Sequence, residues 1–336
     1  MAIVINGQTG IDAGHLPISN AGNTEVEGTF TGADATVNSI TANSVMTQGQ
    51  NVTPFSGFKN YIINGNFDVD QYGRGSQQNW FSIYCYTDRF LVFNSSTVVR
   101  NGSGSSNPTG FTNHLSVTKT AVADTQIIQR WEIPKDKAKM FLNGRTLTFS
   151  CWVLSDVNNF IEDILFIKQG TTVNAYEVKT FSITKNNTLH TWTRITATIS
   201  NIQWTYEVGD YIEIRLDLLG STAGTIHTTG WQLEEGSVAT PFEQRPYGLE
   251  LSLCQRYYEH NLFKHYIPNS GASSIITSIP YKVTKRVAAS LTYSSVGIFG
   301  GYNPPVDNDS VNNENGFNVV RNTDELNFHW YASAEL

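Results

Sequence analysis

The stretch YIEIRLDLL, Tyr211 to Leu219, alternates without interruption: Ile212, Ile214, Leu216 and Leu218 point one way and Tyr211, Glu213, Arg215 and Asp217 the other. A period of two puts an apolar row on one face of a strand and a charged row on the opposite face, which commits the chain to a sheet with one covered side. The outward charges are expected to meet cross-strand neighbours. LTFSCWV, Leu147 to Val153, repeats the pattern, with Leu147, Phe149, Cys151 and Val153 on one face and Thr148, Ser150 and Trp152 on the other. Asn143 and Gly144 supply the turn before it. WTRITATIS, Trp192 to Ser200, does the same with Ile195, Ala197 and Ile199 inward, after a polar turn around Asn186 and Asn187. Several such runs between Asn60 and Pro246, separated by Gly and Asn, predict a two-sheet sandwich.

Composition agrees with a mainly β fold. Only 15% of the residues are charged, against roughly 25% in ordinary globular chains. Ser, Thr, Asn and Gly take their place, which argues against coiled coils and helical solenoids. A length of 336 residues predicts about two domains and a smaller piece at roughly 150 residues per domain. With 22 Lys+Arg against 29 Asp+Glu the net charge is −7, so there is no general attraction to phosphate backbones and nucleic acid is not an expected partner. MAIVINGQTG has neither the basic nor the apolar region of a signal peptide, and apolar runs such as Ile164 to Ile167 are far too short to cross a bilayer. Neither signal-directed export nor membrane insertion is expected. Cys85, Cys151 and Cys254 are odd in number and lack metal spacing, which fits packed thiols in a reducing compartment. A surface this rich in hydroxyls and amides without an export plan suits a virus component assembled in bacterial cytoplasm and released by lysis; a cytosolic lectin-like domain suits it too.

Outside the sandwich the chain divides again. Residues 1–58 contain no Lys or Arg and only Phe30, Phe55 and Phe58 as aromatics, too little to bury a core. Weak alternation through Val26, Phe30, Val37, Ile40 and Val45 favours an attachment or shaft segment ordered by association over a flexible tail. LELSLCQRYYEH, Leu249 to His260, follows the breakers Pro246 and Gly248 and places Leu251, Cys254 and Tyr258 at helical spacing, predicting a short helical neck over 247–260. Copies packing side by side, or docking onto the sandwich, would stabilise so short a helix. From 261 to 336 strands resume, with Ile276 to Arg286, Leu291 to Phe299 and a closing hairpin about Asn322 to Asp324 in FNVVRNTDELNFHWYAS. This is the expected small distal β-sandwich domain.

Four segments carry a family resemblance. YIINGNFDVDQYGRG (Tyr61 to Gly75), GWQLEEGSVATPFEQRP (Gly230 to Pro246), LELSLCQRYYEH and YKVTKRVAAS (Tyr281 to Ser290) resemble tail fibre proteins of tailed bacteriophages. The first of them, with the Leu147 to Val153 and Gly230 to Glu235 strands, also resembles the jelly roll of carbohydrate-binding modules, so 59–246 is expected to be such a sandwich. VINGQTGIDAG (Val4 to Gly14) and SVMTQGQNVTPFSGFKN (Ser44 to Asn60) resemble the virion-proximal part of similar fibres. The chain departs from the pattern at Asp70, where such fibres commonly carry Trp, with Tyr72 and Gly73 following, and in YTDRF (Tyr86 to Phe90), one residue shorter than usual. The resemblance implies a homotrimer in the virion's tail fibre. Its N-terminal segment would join other tail or baseplate proteins, its helical neck would present Leu251, Cys254 and Tyr258 to the other copies, and its distal domain would meet a host-surface glycan.

No GxSxG, HExxH, P-loop or dinucleotide fingerprint is present. Glycan cleavage needs two carboxylates about 5 to 9 Å apart, and Glu162 with Asp163 or Glu234 with Glu235 are the candidates. Neighbours on a strand face opposite ways, however, and the stacked repeats of a β-helical depolymerase are missing. Binding without catalysis is therefore the expectation, with a tailspike-type depolymerase, a monomeric carbohydrate-binding module and a purely structural role as alternatives. No cofactor is expected beyond a structural calcium at Asp68 and Asp70, read as i and i+2 on one strand face. The 7 His residues show no ligand spacing. Sugar rings present apolar C–H faces and hydroxyl rims, so recognition calls for exposed aromatics among amides and carboxylates. Tyr302, Asn303, Asp307, Asn308 and Asp309 in the distal loop, with Trp330 and Tyr331, meet that demand; Trp80, Trp204 and Tyr206 form an alternative platform.

Overall fold

The computed structural model describes residues 45–47, 50–52, 59–73, 76–78, 84–95, 97–101, 106–120, 124–132, 144–170, 177–183, 186–204, 209–266, 275–295, 312–321 and 325–335. Of the expected N-terminal segment only an antiparallel pair, β1 (Val45–Thr47) with β2 (Gln50–Val52), falls within them; the remainder of that expectation lies outside the described residues. No helix among the described residues is long and apolar enough to cross a membrane.

The central domain is an antiparallel sandwich. Its strands are β3 (Ser76–Gln78), β4 (Tyr84–Thr87), β5 (Phe90–Phe93), β6 (Thr97–Arg100), β7 (Leu115–Lys119), β8 (Gln126–Glu132), β9 (Leu147–Ser155), β10 (Ile161–Gln169), β11 (Glu177–Thr180), β12 (Ser182–Ile183), β13 (Thr193–Ile199), β14 (Tyr211–Leu218) and β15 (Gly224–Glu235). They form a six-stranded sheet, β11-β10-β14-β8-β5-β4, and a seven-stranded sheet, β12-β13-β9-β15-β7-β6-β3. The consecutive strands β4–β5, β6–β7, β10–β11 and β12–β13 pair within one sheet, and the remaining connections cross to the other, which makes an antiparallel β-sandwich. The alternating runs fall where they are expected. Ile212, Ile214, Leu216 and Leu218 from one sheet face Leu147, Phe149, Cys151, Val153, Ile195 and Ala197 from the other in a single core. Trp231 lies at its centre, edge-on to Phe90 and Phe149 at 5.2 and 5.1 Å. Each such fully buried side chain contributes about 1.5–3 kcal/mol. Among the outward charges, Glu213 pairs in register with Arg130 on β8 and lies fully buried between Arg130 and Arg215.

The segments that carry the family resemblance close this sandwich. Asn64 takes a left-handed φ of 60°. Its side chain bonds the Val69 carbonyl and amide at 2.8 and 2.9 Å and the Asp88 carbonyl at 3.0 Å. A Cβ on Gly65 would collide with the Trp231 carbonyl, so only glycine permits the Trp231 N to Gly65 O bond of 2.8 Å. Beyond β15 the chain folds back. Glu234 accepts from the Thr240 amide and hydroxyl at 2.8 and 2.7 Å, and Gln232 accepts from the Glu243 amide at 2.8 Å. The Glu243 carboxylate in turn accepts from the amides of Lys59 and Asn60, both at 3.0 Å. The two ends of the domain are thereby tied together.

Helix α1 (Tyr247–Gln255) follows Pro246. It is shorter than expected, because Tyr258, placed on the helix by its spacing, opens strand β16 (Tyr258–Tyr266). Pairing of Tyr258 with Ser333 continues the distal sheet at that point and overrides helical spacing. The distal domain comprises β16, β17 (Ile275–Pro280), β18 (Ser290–Ser295), β19 (Gly316–Arg321) and β20 (Glu325–Ser333), arranged as a three-stranded sheet, β16-β20-β18, and a two-stranded sheet, β17-β19. The expected closing hairpin does not form: β19 pairs with β17, and β20 with β16 and β18. The two strands contribute to opposite layers, with Phe317 and Val319 facing Phe328 and Trp330 in one core.

Polar contacts hold α1 and the distal domain against the sandwich. Arg89, which has a φ of 73°, bonds Glu335 and the Arg130 carbonyl, and lies 3.3 Å above the Tyr257 ring. Arg256 bonds Glu132 at 2.6 Å, and Arg245 reaches Glu250 at 3.1 Å and the Ile62 carbonyl at 3.0 Å. Cys254 is fully buried and Tyr258 is stacked on Tyr72, so within one chain both side chains are already covered; Leu251 is partly exposed. The neck as a row of three residues open to other copies is corrected to that extent.

Candidate functional site

In β20 the residues alternate: Phe328, Trp330 and Ala332 are buried, whereas His329 and Tyr331 remain partly exposed on the opposite face. Register places Tyr331 between His260 on β16 and Thr292 on β18, and His329 between Leu262 and Ser294. Side chains directly opposite on adjacent strands touch, and here they are rings. His260 and Tyr331 lie 5.8 Å apart and nearly parallel, at 20°; Tyr331 and His329 lie 6.5 Å apart. Behind this row Tyr258, 6.1 Å from His260, is buried under Tyr72, which stacks on it at 3.7 Å and 12°. Leu262 is 46% exposed beside the row, and the Ser294 hydroxyl stands 3.5 Å from the Tyr331 hydroxyl. A flat, apolar, hydroxyl-edged strip of this kind offers ring faces to C–H groups and donors and acceptors to hydroxyls.

Of the expected ligand contacts that lie among the described residues, Trp330 and Tyr331, only Tyr331 stands on this strip. Trp330 is 3% exposed and packs against Phe317 and Tyr281 inside the distal core; the period of two requires only that it face away from Tyr331, the core fills its side, and it is not a ligand platform. Tyr302, Asn303, Asp307, Asn308 and Asp309 lie outside the described residues, as do Trp80 and Tyr206. Trp204, of the alternative platform, is buried at 3% and stacks on Phe166 at 5.2 Å, which removes it from any surface. His260 and His329 were missed, although the alternation of NFHWYAS around Trp330 carries the signal for His329.

Asp68 and Asp70 lie in an irregular segment rather than on the expected strand. Asp68 accepts from Asn66 and Asn113 amide groups at 2.6 and 2.7 Å and from Thr112 at 3.4 Å, while Asp70 caps the Gly73 amide at 3.1 Å. Donors surround Asp68, the reverse of a calcium shell of oxygen acceptors, and no group of three or more His, Cys, Asp or Glu converges among the described residues. Of the carboxylate pairs, Glu234 is buried in the Thr240 turn, and Glu235 bonds Tyr61 at 2.8 Å and pairs with Arg145. Asp163 instead faces Asp217 across β10 and β14. Burial pushes the Asp217 carboxyl up to about 6, with Asp163 and Glu162 adding to the rise against Arg215. The Cys151 and Cys254 thiols are fully buried, and burial pushes both well above the usual thiol range.

No family model and no curated protein matches the chain. Among solved structures, the enzymatically active domain of tailspike protein 4 from bacteriophage CBA120 is 14% identical over 53% of this chain and 21% of its own length, with a TM-score of 0.30. The CBM22-1 xylan-binding domain of Paenibacillus barcinonensis Xyn10C is 12% identical over 52% of this chain and 92% of its own, with a TM-score of 0.30. A Stig cyclase, Fisc, from Fischerella sp. TAU is 12% identical over 54% and 98%, with a TM-score of 0.33. Overlaps at these scores carry no argument about what this chain binds or does.

Proposed function

We propose that this chain is a tail fibre or receptor-binding protein of a tailed bacteriophage, which attaches the virion to a host-surface glycan by non-covalent, multivalent contact. The family resemblance of its four segments supports the virion role, as does their use here: they build the clamp and the joint between a sandwich and a small distal domain. The contact itself rests on one observation, the strip of nearly parallel rings at His260 and Tyr331 on the outer face of the distal sheet. In this reading the chains form a homotrimer, the N-terminal segment joins other tail proteins, and the protein is at work in the virion. Binding of the full chain to an array of bacterial surface polysaccharides tests it. Tyr331→Ala should weaken the strongest signal about tenfold, the loss of one stacking contact of roughly 1–1.5 kcal/mol, while far-ultraviolet circular dichroism stays unchanged. Equal binding by the variant would sink the assignment of this face.

A second reading, glycan cleavage, is favoured by Asp217 standing opposite Asp163 across β10 and β14, since hydrolysis uses two carboxyl groups flanking the bond. Release of reducing ends from a bound polysaccharide, abolished by Asp217→Asn, would move the assignment there.

A further inference from the structure

The chain passes from the edge of one sheet to the edge of the other between β11 and β12. Phe181 makes the passage possible: it is 2% exposed, packs on Phe149 and Phe166, and its amide bonds the Ile164 carbonyl at 2.8 Å. With Phe181 turned into the core, Thr180 and Ser182 on either side are left outside. They border a groove of about 320 Å³ whose lining includes Lys179, Thr146, Thr198 and Ser237. Ser182 and Thr198 stand opposite each other in register. The far rim is fixed by the Gly236 amide on the Thr146 carbonyl at 2.9 Å and the Thr148 hydroxyl on the Gly236 carbonyl at 2.7 Å.

Two features set the groove apart. On the same outer face several hydroxyls are engaged, Thr148 with Gly236, Ser116 with His227, Thr118 with Thr225 and Thr229 with Asn113, whereas those gathered at the groove are not. Among the described residues, the hydroxyls of Thr146, Thr180, Ser182, Thr198 and Ser237 bond no other protein group, and Lys179 has no carboxylate partner. No carboxylate and no aromatic ring lines the groove. Its volume sits at the lower end of the roughly 300–1,000 Å³ usual for small-molecule sites.

We propose that this groove binds one acidic sugar residue, with Lys179 on its anion and the facing hydroxyls on its own hydroxyl groups. A neutral sugar would leave the ammonium without a counter-charge, and an apolar ligand would leave the whole hydroxyl set unpaired. A lysine ammonium is a point charge with three rotatable donors, so a carboxylate and a phosphate ester both satisfy it; the shared chemistry is one anionic group on a polyhydroxylated ring. The inference stands on the groove alone and does not require the Tyr331 strip to be adhesive.

The test is a titration of the ¹⁵N-labelled full chain with methyl glucuronide, glucose 6-phosphate and neutral methyl glucoside, followed by amide shifts of Thr180, Ser182 and Thr198. One or both acidic probes should shift these amides and the neutral probe should not; whichever binds identifies the source of the charge. Lys179→Met should weaken the acidic probe about tenfold, as loss of one charge-assisted contact does, and Tyr331→Ala should leave it unaltered. Absence of shifts with both acidic probes, equal shifts with the neutral one, or an unaffected Lys179→Met titration would each overturn the proposal, whatever the polysaccharide array shows for Tyr331.

Discussion

At the scale of single residues, the outer face of the seven-stranded sheet holds a titrating group whose effect on stability has a definite sign. His227 bonds Ser116 at 2.7 Å and lies edge-on to His114 at 5.2 Å. Burial, with the neighbouring His114, brings its imidazole from 6.5 down to about 4, against a smaller opposite pull from Asp156. The unfolded chain therefore binds more protons than the folded one between those values, and His227 contributes stability above about 6.5 that is lost as pH falls towards 4. Asp88 works in the opposite sense. Burial raises its carboxyl from 3.8 to about 6, so its cost is relieved as pH falls through that window. The two effects overlap in the intact protein and separate by difference: the stability of wild type minus that of His227→Gln, from urea unfolding, should shrink as pH drops from 7 to 4. A difference independent of pH would refute the assignment. Neither group was legible in the sequence, since a histidine on a strand declares its burial only when loops are placed above it.

At the scale of elements, the join between α1 and β16 rests on a buried ion pair. Lys285 bonds Glu259 at 2.8 Å and the Gln255 carbonyl as well, and both residues are 1% exposed. Removing one member strands the other charge in the interior. Lys285→Met should cost about 3–5 kcal/mol, whereas Lys285→Met with Glu259→Met should recover most of it, as read from urea midpoints. Additive losses in the double variant would show that packing rather than charge is at stake. The sequence placed strands well where one face was apolar, as in β9 and β14. It failed at Tyr258 and at the expected β19–β20 hairpin, because a spacing of three and four is compatible with both a helix and a turn into a strand, and because pairing partners far apart in sequence leave no local mark.

At the scale of the whole molecule, the proposed adhesion depends on number as much as on contact. A weak site repeated on three chains of one fibre gains avidity without any new interaction. Light scattering of the full-length chain should therefore give three times 37.3 kDa; a monomer would remove the fibre from the proposal and leave a solitary binding domain. By itself the sequence determined a mainly β chain with a sandwich between about 59 and 246 and a second β domain after it, because a period of two is written into neighbouring residues and water enforces it. It also determined that Trp330 and Tyr331 must face opposite ways, once both are on one strand. Only the tertiary structure decided which of the two faces outward, brought His260 and His329 beside Tyr331, and left hydroxyls unbonded around Lys179. Those depend on register between distant strands and on which side of each sheet the core fills, and neither is encoded within any single segment.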